Sequence, residues 1–157
     1  MKRRDLVLKF VVGLLMAGVV FSGCGIFGGK TQSRELVLIL NGTDMLNSCG
    51  EEVANTLPIR IFQLSGDSQI SIASLQGLWW DPEKELGDEF VDQLEMILEP
   101  SQRIPMNLKP ADGASIIAVV GNFCQTEGSC WKWVSPIDKI SSPQALTFDK
   151  FCIREAR

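Results

Sequence analysis

Five cysteines, at positions 24, 49, 124, 130 and 152, and no histidine at all set the chemistry open to this chain. Without an imidazole, the Ser–His and Cys–His pairs that activate a nucleophile cannot be assembled. A zinc site would have to be all thiolate, and no Cys-x2-Cys pair supplies the usual ligand spacing. No metal or other cofactor is therefore expected. Asp88, Glu89, Asp92 and Glu95 cluster in the sequence, and paired carboxylates can cleave glycosides. Their spacing instead reads as the solvated acidic face of an amphipathic helix. The glycines of "GCGIFGG" belong to a small-residue tether rather than to a phosphate-cradling loop between a strand and a helix. These residues point away from an enzyme.

The first cysteine has a different setting from the other four. Lys2, Arg3, Arg4 and Lys9 precede an apolar run from Phe10 to Phe21, which ends in Ser22-Gly23-Cys24. That run is about 12 residues, against roughly 20 for a membrane-spanning helix. A basic start, a short apolar stretch and small residues before a cut are the parts of a secretory signal; an uncleaved anchor is the alternative. "FSGC" resembles the lipobox of bacterial lipoproteins, in which small residues precede a cysteine that is diacylated before cleavage. It departs from that pattern at Phe21, where Leu is usual. Gly25 stands where an Asp would resemble an inner-membrane retention signal, so an outer-membrane destination is expected. Residues 1–23 read as the removed signal, 24–33 as a lipidated flexible tether and 34–157 as the folded domain. Cys24 is the expected site of lipid attachment. Losing residues 1–23 removes four positive charges and one negative, so the net charge of −4 becomes −7 over 134 residues. Such an acidic domain has no electrostatic case for nucleic acid.

Setting Cys24 aside leaves an even number of cysteines, and export places them where thiols oxidise. Two disulfides are expected among Cys49, Cys124, Cys130 and Cys152, for which three connectivities exist. Cys124 and Cys130 flank the turn-like "QTEGS", which favours Cys124–Cys130 with Cys49–Cys152.

The elements that must position these residues are mostly strands. "RELVLILNG" is a continuous apolar run and "LPIRIFQL" alternates. Residues 67–90 break the pattern, with helical spacing at Ile72, Leu75 and Leu78 and a second helical start at Pro82. Two short helices crossing one edge or face of a sheet are expected there. Strands resume at Leu94–Leu98, at Ile104–Leu108, in "ASIIAVVGNF", in "WKWV" and in the closing "ALTFDKFCIR". About seven strands joined by short turns predict an all-β antiparallel sandwich with a short helical insert. If successive strands alternate in direction, the loops bearing Cys49, Pro100, Cys124 and Cys130 gather with Cys152 at the end remote from the tether.

The order of these features resembles the outer-membrane lipoproteins of type VI secretion systems, the TssJ-like family. The residues that carry the resemblance are the lipobox Cys24, "LPIRIFQL", "WWDPEKELGDEF" and "LEMILEPSQR". It implies a transthyretin-like sandwich, lipid-anchored in the outer membrane and facing the periplasm. It also implies a scaffold that docks the periplasmic domain of an inner-membrane (TssM-like) component, with the loop between the first two strands as a main contact. Here that loop is Gly42–Thr56, and its candidate contact residues are Asp44, Met45, Leu46, Asn47 and Ser48, beside Glu51 and Glu52. Met45 and Leu46 can equally tuck onto the core. The alternative function is binding of peptidoglycan or other carbohydrate through Trp79, Trp80, Trp131 and Trp133, although core packing is the commoner role for such residues.

Overall fold

The computed structural model describes residues 34–50, 53–126, 128 and 130–156. The expected signal, the tether and the lipid site Cys24 lie outside these residues, as do Glu51 and Glu52. Among the described residues eight strands form two four-stranded sheets: β1 (Leu36–Gly42), β2 (Leu57–Leu64), β3 (Phe90–Leu98), β4 (Arg103–Leu108), β5 (Ile116–Gly121), β6 (Lys132–Pro136), β7 (Gln144–Phe148) and β8 (Ile153–Glu155). One sheet has the order β4-β1-β7-β8 and the other β3-β2-β5-β6. All neighbours are antiparallel except β1 and β7. The all-β sandwich is as expected, with one strand more. "ALTFDKFCIR" is broken by a turn at residues 149–152, where the Asp149 N–H donates to the Cys152 carbonyl at 2.9 Å.

The core follows from strand periodicity. Leu36, Leu38 and Leu40 of β1 are fully buried, while Val37 and Ile39 between them are half-buried. Successive side chains of a strand point to opposite faces, so this strand keeps one face on the core. β5, "IIAVVG", is buried along its whole length because its outer face is also covered. The cover is the segment between β2 and β3. It forms three short helices, α1 (Ser68–Ile72), α2 (Leu75–Trp80) and α3 (Pro82–Leu86), rather than two. Ser74 caps α2 by accepting from the Gly77 N–H, and the Asp81 carboxylate caps α3 with Pro82 as its first residue. Ile70, Leu78 and Leu86 are fully buried beneath it.

Two cations of the sheet hold the insert down. The Arg60 guanidinium donates to the carbonyls of Leu78 (2.7 Å) and Trp79 (3.2 Å), pairs with Glu95 at 3.0 Å and lies 4.3 Å from the centre of the Trp79 ring. The Lys132 ammonium donates to the carbonyls of Ile70 and Ser71, and burial lowers its pKa.

The acidic cluster is arranged otherwise than expected. Asp88 and Glu89 lie in a 3-10 turn at Gly87–Glu89, and Asp92 and Glu95 lie on β3. Each of three has its own partner: Glu89 accepts from the Gln69 N–H, Asp92 from the Gln63 side chain and Glu95 from Arg60. The i, i+3, i+4 spacing imitates a helix, but pairing of β3 with β2 over Leu57–Leu64 overrides it.

Candidate docking site

Every connection alternates between the two ends of the sandwich, and the helical insert preserves this because it joins antiparallel neighbours. One end therefore collects four connections: residues 43–56, 99–102, 122–131 and 149–152. The registers fix this, with Gly42 opposite Phe148, Asn41 opposite Arg103, Leu57 opposite Leu98, Val120 opposite Lys132 and Phe148 opposite Ile153. The chain enters β1 at Leu36, at the opposite end.

Backbone and side-chain bonds tie these connections into one tip. The Gly42 N–H donates to the Gln102 carbonyl (2.9 Å), the Thr43 N–H to the Phe148 carbonyl (2.9 Å) and the Ser101 N–H to the Thr43 carbonyl (3.1 Å). A Cβ at residue 42 would sit 2.7 Å from the Glu99 carbonyl oxygen, so glycine is what lets β1 approach the 99–102 turn. Asn47 is the hub of the longest loop. Its side-chain amide donates to the Thr56 carbonyl at 2.8 Å, and its side-chain oxygen accepts from the Cys124 N–H at 2.9 Å. Its φ of 49° lies in the left-handed region that asparagine tolerates better than most residues.

Two disulfides complete the tip. Cys49 is bonded to Cys124 and Cys130 to Cys152. All four expected cysteines are used, but the favoured pairing is corrected. Cys124 and Cys130 lie beyond the end of the β5–β6 ladder, which closes where the Gly121 N–H donates to the Trp131 carbonyl. Phe123 and Trp131 are buried at the two feet of that loop. Each cysteine then meets a neighbouring connection: the Asn47 amide brings Cys49 to Cys124, and the Ile153 N–H bond to the Cys130 carbonyl (2.7 Å) brings Cys152 to Cys130. Three connections are thus covalently linked in series.

The five loop residues singled out from the sequence divide between surface and interior. Asp44 is exposed and Met45 half-buried, whereas Leu46 is fully buried in the core and Asn47 and Ser48 are buried. The exposed apolar side chain of this loop is Val53, 60 % exposed. It falls outside the Met45-Leu46 pair, and no periodicity in the sequence marks it. The tryptophans form no common platform. Trp131 is buried, the Trp133 indole N–H donates to Glu155 on β8, Trp79 lies under Arg60, and Trp80 is exposed on the insert.

Residues 34–149 match the family of type VI secretion lipoproteins described as VasD, EvfM and TssJ. Among curated proteins none matches the sequence. Solved structures share the fold. The type VI lipoprotein TssJ1 of Pseudomonas aeruginosa superposes with a TM-score of 0.73 at 19 % identity, covering 79 % of this chain and 95 % of that one. Serratia marcescens Lip, a membrane-bound component of the type VI system, gives 0.70 at 17 %, covering 78 % and 97 %. A chain in a structure of the TssM C-terminal domain from EAEC gives 0.68 at 16 %, covering 78 % and 98 %. The family is a structural component of the secretion machine and not an enzyme, and this chain, matched over most of its length, belongs to the type VI secretion lipoproteins.

Proposed function

We propose that the protein is the outer-membrane scaffold of a type VI secretion system, anchored by lipid at Cys24 and docking the periplasmic domain of a TssM-like inner-membrane component. The observation that carries this reading is polarity. The chain enters the sandwich at one end, while four connections and both disulfides gather at the other. A domain tethered by about ten residues has its far end facing away from its own membrane, towards a partner from the opposite one. In this reading residues 1–23 are removed and 24–33 are the tether, whose extended reach is at most roughly 35 Å. Fold-sharing chains from a membrane-bound lipoprotein and from a TssM-domain structure support the choice of partner.

Exposed Asp44 and Val53 and half-buried Met45 are the candidate contact side chains of the β1–β2 loop. Buried Leu46, Asn47 and Ser48 hold the loop in place. Two variants separate anchoring from docking. Cys24→Ser should give a folded, exported domain that leaves the membrane fraction, and its retention there would contradict the lipid anchor. Asp44→Lys combined with Val53→Asp should weaken binding of the partner's periplasmic domain with an unchanged melting curve. Unaltered affinity would remove this loop from the interface.

A further inference from the structure

The four sheet edges of the sandwich are unequally guarded. An exposed edge presents unpaired N–H and C=O groups, and proteins blunt it with short strands, proline, bulges or inward-pointing charges. β8 is only three residues long, and β4 carries Pro105, which has no N–H to offer. β6 is five residues long, ends in Pro136 and is bridged to β8 by the Trp133–Glu155 bond. β3 is different: nine residues long, it pairs with β2 alone among the described residues. The bulge and the inward-pointing charge that blunt it stand at its start. The register slips opposite Gln63/Leu64, and Asp92 faces inward against Gln63. From Gln93 to Leu98 the ladder is regular and has no proline, lysine or arginine.

The side chains along this stretch are those of a strand awaiting a neighbour. Leu94 lies opposite the fully buried Ile61 and faces the core, yet is 42 % exposed. Ile97, on the other face, is 60 % exposed. Charge limits what can pair there. Asp92, Glu95 and Glu99 are exposed along the edge, and among the described residues the one cation paired with any of them is Arg60, already committed to Glu95 and the insert. A second copy of the chain would bring two such rows of carboxylates onto one ribbon.

From this geometry we infer that Gln93–Leu98 is a strand-addition site for an extended segment of a protein partner in which apolar residues alternate with lysine or arginine. Main-chain bonds to β3 supply the affinity of such a contact, and alternate side chains supply its selectivity. An apolar side chain covers Leu94 and Met96, and a basic one lies beside Glu95. The site runs up to the 99–102 connection at the tip but uses the main chain of β3, so it does not rest on docking through the tip loops.

The test uses the full-length chain and a synthetic eight-residue peptide alternating valine and lysine. Two controls replace its lysines by glutamate or place proline at its centre. Amide hydrogen exchange should slow about tenfold in residues 93–98 with the lysine peptide and in neither control. Leu94→Lys, an inward charge of the kind that guards natural edges, should abolish that protection. Glu95→Lys should transfer it to the glutamate peptide, which keeps the test decisive should the Leu94 variant fold poorly. Protection elsewhere, equal protection by all three peptides, or self-association through β3 without peptide would each overturn the proposal.

Discussion

Replacing Cys49 and Cys124 together by serine opens a loop of 75 residues, whereas replacing Cys130 and Cys152 opens one of 22. A cross-link stabilises chiefly by limiting the unfolded chain, by an amount that grows with the logarithm of loop length. The longer loop is worth about 4.5 kcal/mol and the shorter about 3.4 kcal/mol on that relation. For a domain of this size these correspond to drops in Tm of roughly 17 and 13 °C. The two loops do not overlap in sequence, so the losses should add in the quadruple variant. Urea or thermal melts of the three variants measure the order and the sum. A smaller loss for the Cys49/Cys124 pair than for the Cys130/Cys152 pair would contradict this order, since it would mean that the loop bearing Asn47 is not held by its disulfide. The connectivity itself is open to a digest. No lysine or arginine lies between Cys124 and Cys130, so trypsin leaves both in one peptide. The observed pairing links that peptide to two others under non-reducing conditions. The pairing favoured from sequence would instead join the Cys49 peptide to the Cys152 peptide alone.

Three further outcomes follow from single side chains. Leu46→Ala empties a fully buried site and should cost roughly 2 to 5 kcal/mol by denaturant melts, so any accompanying loss of partner binding reports a loosened loop, not a missing contact. Arg60→Ala removes the donor shared by the Leu78 and Trp79 carbonyls; it should cost about 1 to 3 kcal/mol and speed proteolysis of the insert before that of the sheets. Glu85 has its pKa lowered by the backbone and then the side chain of Ser74, which donate to it at 2.7 and 2.9 Å. A depressed carboxylate stabilises fully above its unfolded-state pKa and loses that contribution as pH falls through the folded-state value. Glu85→Gln should therefore lower Tm slightly at neutral pH, and the gap should close in acid; a gap that widens in acid would contradict the assignment.

The sandwich was legible because its signals are local. Leucines alternate through β1, Pro82 follows a capping aspartate, and turn residues separate most strands. Strand alternation alone was enough to gather the cysteines at one end. What escaped the sequence depended on contacts between distant segments. Cys124 and Cys130 lie six apart and look like partners, but the bonds of Asn47 and Ile153 to neighbouring connections decide the pairing. The carboxylates from Asp88 to Glu95 keep helical spacing on a segment that β2 draws into a strand. Leu46 reads as an interface anchor in the sequence yet is fully buried, while the exposed Val53 carries no sequence signal, and only burial separates them. The Arg60 of "RIFQL" is polar within an apolar strand because it pins the insert across the sheet, a role invisible without the Leu78 carbonyl beside it.

The proposed docking fixes the direction in which the domain faces its partner, and the domain's own lysines can report it. Lys150 lies in the tip connection 149–152, Lys109 and Lys139 lie in connections at the end where the chain enters, and Lys84 lies on the insert; all four are exposed. The decisive measurement is amine-reactive crosslinking of the full-length lipoprotein to the periplasmic domain of the proposed TssM-like partner, with the linked peptides identified by mass spectrometry. Crosslinks concentrated on Lys150 are the predicted result. Crosslinks concentrated on Lys109 and Lys139, with Lys150 unreacted towards the partner, would contradict docking through the disulfide-linked tip.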